Sequence, residues 1–202
     1  MYTLLLDCSD INLSVGISLK DNLLYKKSFY AWQRQSEYMI PEIKKALEQI
    51  NISINDISVV ALGIGPGSYT GIRIPLTISK TLSILNNVKI IPLSSLQIMG
   101  KSDEKYIALM NARSDRSYIG IYDNGRTVLA DQVIENNKLK DLIEKYLNEG
   151  FVLKGNIDYL KLDYQVDMDV IEGLLSYSLI TKATVTPEGL TPVYLKDNYG
   201  NK

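Results

Sequence analysis

Gly63-Ile64-Gly65-Pro66-Gly67-Ser68-Tyr69-Thr70-Gly71-Ile72-Arg73 lies between an apolar run and an amphipathic one, and the fold turns on how this stretch is read. Before it, Ser58-Val-Val-Ala-Leu-Gly-Ile64 is short, apolar and β-branched, the pattern of a buried strand. After it, Ile74, Ile78, Leu82 and Leu85 recur at helical spacing. A glycine-rich passage from strand into helix has two readings. Unpaired amides and the positive end of the helix favour an anion there. Equally, glycines allow a tight turn pressed against other backbone. No Gly-Lys-Ser/Thr follows, so it is not a Walker loop, and it lacks the full Rossmann spacing.

Upstream, Tyr2 to Leu6, Leu13 to Leu19 and Leu23 to Tyr30 read as three strands joined by polar turns, an antiparallel meander. Ile43, Ala46, Leu47 and Ile50 then mark one face of a helix, which Pro41 either starts or kinks. Val88 to Leu93 closes the first unit as a strand. Downstream the opening pattern returns: Tyr106 to Met110, Ser117 to Tyr122 and Val128 to Ile134 are expected strands. Leu139, Leu142, Ile143 and Tyr146 form a helical stretch, followed by a strand from Phe151 to Lys154. Val170 to Ala183 is expected as a helix and Pro187 to Leu195 as an extended tail. We therefore expect an α/β protein of two pseudo-repeated lobes: residues 1–100, with the glycine loop and two helices, and residues 101–202, with the tail.

Composition narrows the chemistry. The 202 residues are 46% hydrophobic and 22% charged, with 22 basic against 23 acidic side chains, so no whole-molecule field draws nucleic acid. Zero histidines exclude Ser-His-Asp and Cys-His machinery and any histidine-ligated metal. One cysteine, Cys8, excludes an internal disulfide; without a histidine partner it reads as a small buried residue. The start carries no basic region, and no apolar run reaches membrane-span length. The expectation is a cytoplasmic protein with no membrane partner.

The segment Gly65-Pro-Gly-Ser-Tyr-Thr-Gly-Ile-Arg-Ile74 resembles the signature of the TsaB family, once called YeaZ. Leu5-Leu-Asp-Cys-Ser9, Leu93-Ser-Ser-Leu96, Met110-Asn-Ala-Arg113 and Thr191-Pro-Val-Tyr-Leu195 match along the rest of the chain. The resemblance implies the two-lobed actin, sugar-kinase and Hsp70-like (ASKHA) fold, with a mixed β-sheet in each lobe. It implies a non-catalytic subunit that dimerises with a TsaD-like catalytic protein. Together they would transfer a threonylcarbamoyl group to a tRNA adenosine next to the anticodon, with a TsaE-like ATPase joining through the complex. Contact with tRNA is then indirect, and no cofactor or metal is expected. TsaD itself holds a metal through two histidines, which this chain lacks. The dimer face implied is that of the first-lobe helices, with Ile74, Ile78, Leu82 and Leu85, and without a partner the same face forms a homodimer.

Three positions depart from the family pattern: Gln35 for a usual histidine, Asn111 for an acid and Pro75 for a glycine. Pro75 lets a regular helix begin only about one turn before it, or kinks it. Asp7 and Ser9, ending the first strand, either orient a phosphate, as in active members of the superfamily, or simply cap a turn. In the phosphate reading they would form, with Gly65, Gly67, Ser68, Thr70, Gly71 and Arg73, a vestigial phosphate loop; in the other, these residues only shape the turn. Arg73, Arg113 and Arg116 sit at loops facing an interlobe cleft, where arginine suits phosphate or carboxylate. The 14 tyrosines read as strand residues with wet hydroxyls or as base-stacking platforms. The rival to a docking subunit is an ATP-dependent phosphotransferase with Asp7 placing magnesium; a metal-dependent peptidase would have carboxylates alone as ligands.

Overall fold

The computed structural model describes residues 1–162, 164, 166–183 and 187–196. Strands β1 (Tyr2–Asp7), β2 (Asn12–Leu19) and β3 (Asn22–Tyr30) form the meander, and α1 (Gln35–Gln49) leads to β4 (Ile57–Gly63). The glycine loop leads to α2 (Arg73–Asn86) and β5 (Lys89–Leu93). The sheet order is β3-β2-β1-β4-β5, antiparallel through the meander and parallel where helices make the crossovers. In the second lobe, β6 (Lys105–Asn111), β7 (Arg116–Asp123) and β8 (Arg126–Glu135) repeat the meander. α3 (Leu139–Asn148) returns the chain to β9 (Val152–Gly155), parallel to β6, in the order β8-β7-β6-β9. The four strands β8-β7-β6-β9 repeat the order β3-β2-β1-β4, so the two lobes with mixed sheets expected from the sequence are present.

Alternation along the central strands divides the core. Leu4, Leu6, Val60 and Leu62 face α1 and α2, while Leu5, Val59 and Ala61 face the other way. On β6, Ile107 and Leu109 pack under α3, while Tyr106, Ala108 and Met110 join Leu5 and Ala61 in a core shared by both lobes. That shared core is completed by α4 (Val170–Ile180), whose Ile171, Leu174, Leu175 and Tyr177 are buried. Although it follows β9 in the chain, α4 lies against the strands of the first sheet. Gly16 in β2 leaves the space that Ile171 fills. Gly173 lets the helix come within backbone contact of the Ile98 carbonyl, where a Cβ would lie 2.0 Å from the oxygen. The Tyr106 and Tyr177 hydroxyls share a hydrogen bond of 2.8 Å inside this core, and Tyr122 and Ser94 both donate to Asp131 nearby.

The helix boundaries refine three expectations. Pro41 neither starts α1 nor marks its end; it lies inside, where its missing amide removes one rung of the ladder. α1 persists because Met39, Ile43, Ala46 and Leu47 bury one continuous face. Pro75 is the third residue of α2, within the first turn, where amides have no intrahelical partner to lose. α4 stops at Ile180 rather than continuing to Ala183. The tail from Pro187 to Lys196 has no regular structure, and its continuation, 197–202, lies outside the described residues.

Candidate functional site

The glycine loop closes onto the turn that ends β1. Ser68 donates its amide to the Ser9 carbonyl at 2.6 Å, and the Cys8 thiol lies 3.5 Å from the Gly71 carbonyl. A Cβ on Gly71 would stand 1.9 Å from the Cys8 carbonyl oxygen, and one on Gly67 2.3 Å from that of Ser9. These two glycines therefore allow backbone to meet backbone. The loop's amides are largely engaged within the protein. Gly65 donates to the Ser95 hydroxyl, Gly71 to the Ser68 hydroxyl, Ile72 to the Ser68 carbonyl and Arg73 to the Thr70 carbonyl. A phosphate cradle would aim such donors at the ligand instead.

Asp7 sits under this joint, buried. Its Oδ2 accepts from the Ser9 amide at 3.1 Å and from the Ser9 hydroxyl at 3.0 Å, while Oδ1 has no partner among the described residues. Burial pushes its carboxyl up to about 7, outweighing the Ser9 bonds that lower it. Burial, with the Asp7 charge beside it, likewise pushes the Cys8 thiol up, so it does not form the nucleophilic thiolate. Among the described residues no group of three or more His, Cys, Asp or Glu is placed to hold a metal ion.

Asp7, Ser9, Gly65, Gly67, Ser68 and Gly71 are thus brought together; Thr70 is exposed. Arg73 turns away from them. Its guanidinium stacks 3.8 Å from the Tyr69 ring centroid and donates to the Tyr194 hydroxyl at 2.8 Å. Tyr69 and Tyr194 are stacked at 5.2 Å. This contact fastens the tail across the molecule: Val193 donates its amide to the Ile64 carbonyl at 2.8 Å, and Lys196 its ammonium to the Ala112 carbonyl at 2.9 Å. Between the lobes lies a cleft of about 940 Å³, lined by Ser9, Gly67 and Tyr69 on one side and by Asn111, Arg113 and Arg116 on the other. Sequence reasoning missed Tyr194 and Lys196 as site residues because their partners lie far away in the chain.

The departures from the family pattern have local roles. The Gln35 amide is buried and donates to the Asp10 carbonyl at 3.0 Å, and the Asn111 side chain accepts from the Arg113 amide at 2.8 Å. On α2, the buried face is Pro75, Leu76, Ser79 and Ser83. Ile74, Ile78 and Leu82 flank it, half-buried against the first core, whereas Leu85 is 73% exposed and its neighbour Ile84 71%. Ile40 on α1 is also largely exposed. No described helix is long and apolar enough to cross a membrane.

A family model described as TsaD, tRNA N6-adenosine threonylcarbamoyltransferase, matches residues 30–179. The tRNA threonylcarbamoyladenosine biosynthesis protein TsaB of Buchnera aphidicola (subsp. Schizaphis graminum) is 30% identical over 73% of this chain and 79% of its own length. The TsaB of Bacillus subtilis is 29% identical over 71% of this chain and 65% of its own. In structure, YeaZ from Pseudomonas aeruginosa superposes with a TM-score of 0.76 at 21% identity, covering 96% of this chain and 99% of that one. Similar to TsaB proteins along most of its sequence and to YeaZ in fold along nearly all of it, the chain belongs to the TsaB family.

Proposed function

We propose that this chain serves the biosynthesis of threonylcarbamoyladenosine on tRNA as a subunit without an active site of its own. It docks on a TsaD-like catalytic protein and enables threonylcarbamoyl transfer from an adenylate to an adenosine next to the anticodon. The observation that carries this reading is the glycine loop: its glycines seat against the Cys8–Ser9 backbone and most of its amides already have partners. Such a loop is a packing joint behind α2 rather than a nucleotide cradle. The histidine-free sequence supports the same reading, since it cannot supply the histidine-held metal that the family resemblance assigns to TsaD. The docking face proposed is the outer side of α1 and α2, and in the absence of a partner the same face pairs two copies of this chain.

Reconstitution tests this. The chain, a TsaD-like subunit, a TsaE-like ATPase, the threonylcarbamoyl adenylate and tRNA should yield modified adenosine, and omission of this chain should reduce product to the blank. Leu85→Asp is the cleaner interface variant, because a side chain already 73% exposed can carry a charge without disturbing the core. It should melt as the wild type does while sedimenting as a weaker assembly and supporting less product. Unchanged assembly and product would show that the face was misassigned.

Magnesium-ATP should leave the melting temperature of the isolated chain unchanged. Tight nucleotide binding would instead stabilise it by roughly 2.7 kcal/mol at a hundredfold excess over Kd. Such a rise, lost in Asp7→Ala and accompanied by ATP turnover, would favour the phosphotransferase reading.

A further inference from the structure

The mouth of the interlobe cleft carries positive charge that the docking role leaves unused. Arg113 borders it from the β6–β7 loop, Arg116 from the start of β7 and Lys196 from the tail. Among the described residues, neither these three groups nor Arg73 has a carboxylate within 4 Å. Burial, and then the two neighbouring guanidiniums, hold the Lys196 ammonium below its ordinary range, while Glu135, paired across the strands with Arg116, feels that guanidinium from the other side. The loop that presents Arg113 is itself unusual: Arg113, Ser114 and Asp115 have φ of 61°, 55° and 55°, three successive non-glycine residues in the left-handed region. Surrounding structure must impose such a run. It brings the Arg113 guanidinium to 5.3 Å from the ring centroid of Trp32, which belongs to the other lobe and is the chain's only tryptophan. On the glycine-loop side, Tyr69 is 55% exposed and stacked with Arg73 and Tyr194.

We propose that the cleft mouth binds a short single-stranded stretch of RNA, with bases stacked on Trp32 and Tyr69 and phosphates along Arg113, Arg116 and Lys196. Two separate stacking platforms, each paired with a guanidinium, suit successive bases of a strand rather than one nucleotide. Asp10 and the exposed Asp158 also line the cleft, and their carboxylates repel phosphate, so the strand has to run on the side of Arg113, Arg116 and Lys196. The choice of RNA among polyanions rests on the tRNA role proposed above, and the contact would make this chain a direct RNA-binding component.

Trp32 provides the readout. Titrating the isolated wild-type chain at low salt with an oligouridylate of about ten nucleotides, within the usual site size of such grooves, should quench its emission saturably. The affinity should fall with salt with a log–log slope of about −2, three phosphates at about −0.7 each. Arg113→Gln with Arg116→Gln should weaken binding at least tenfold and cut the slope to about −0.7. Trp32→Leu, followed by anisotropy of a labelled oligonucleotide, should weaken it about fivefold or more. The proposal is overturned by an unquenched wild type, by equal affinity of these variants, by a duplex of the same length binding as well, or by uridine monophosphate competing as effectively as the strand. No partner protein enters the titration, so its failure leaves the docking reading standing. Conversely, a failed reconstitution beside a positive titration removes the docking reading alone.

Discussion

Gly71→Ala should destabilise the protein by about 3–5 kcal/mol, a large share of the 5–15 kcal/mol that separates folded from unfolded chains. The new Cβ would fall 1.9 Å from the Cys8 carbonyl oxygen and 3.0 Å from the Ser68 Cβ. Neither can yield by rotating a side chain. Cys8 directly follows β1, which is hydrogen-bonded on both edges, so relief requires the loop or the central strand to move. Overpacking against fixed backbone is among the few mechanisms that reach such values. In thermal unfolding the expected loss is on the order of 6–20 °C, at 2–4 °C per kcal/mol for a domain of this size. Gly189→Ala is the matched control: no described residue lies within 4 Å of its Cβ position, and its melting should not fall. A Gly71→Ala protein as stable as Gly189→Ala would show that the loop does not press on the β1 turn.

Asp7→Asn should do the reverse, stabilising the protein at pH 8 and removing a pH dependence. The folded-state pKa of Asp7 is about 7 against an ordinary 3.8, raised chiefly because burial penalises the carboxylate. The folded state therefore binds the proton more tightly than the unfolded state does. Stability from this group is fully present below pH of about 4 and is lost progressively as the pH rises to about 7, where the loss levels off. Three pKa units correspond to about 4 kcal/mol at most. Asparagine carries no charge to desolvate, and its carbonyl can keep the bonds from Ser9. Urea unfolding of both proteins at pH 5 and pH 8 isolates the residue, because Asp10 and Asp131, whose carboxyls are also raised by burial, are common to both. The advantage of the variant should grow between the two pH values. An equal difference at both would mean that Asp7 is ionised at pH 5 as it is at pH 8.

Both expected effects arise where one part of the chain meets another, and that marks what could be read in advance. Local pattern suffices for the two meanders, because a period of two shows strands whichever partner they later find; β6 to β8 mirror β1 to β3 in sequence as in the sheets. The faces of α1 and the existence of the glycine loop are legible for the same reason. Their consequences are not. Glycines at 67 and 71 signal permissive backbone, but the sequence does not say whether a phosphate or the Cys8–Ser9 backbone comes close; only packing put the backbone there. Pro41 was equally undecided as start or kink, and the face buried by Met39, Ile43, Ala46 and Leu47 kept it inside a helix.

The last helix shows the limit most plainly. Val170 to Ile180 is apolar on nearly every side, so its periodicity names no preferred face. Its seat against the first sheet, with Ile171 over Gly16 and Gly173 at the Ile98 carbonyl, joins residues 155 and 75 positions apart. Arg73 and Tyr194, 121 positions apart, meet in the same way, as do Trp32 and Arg113 across the cleft. By itself the sequence determined the elements, their duplication and the chemistry excluded by the absence of histidine. The tertiary structure decided which surfaces close on which, because such contacts depend on the shape of the whole packed chain, whereas propensity and periodicity extend only a few residues along it.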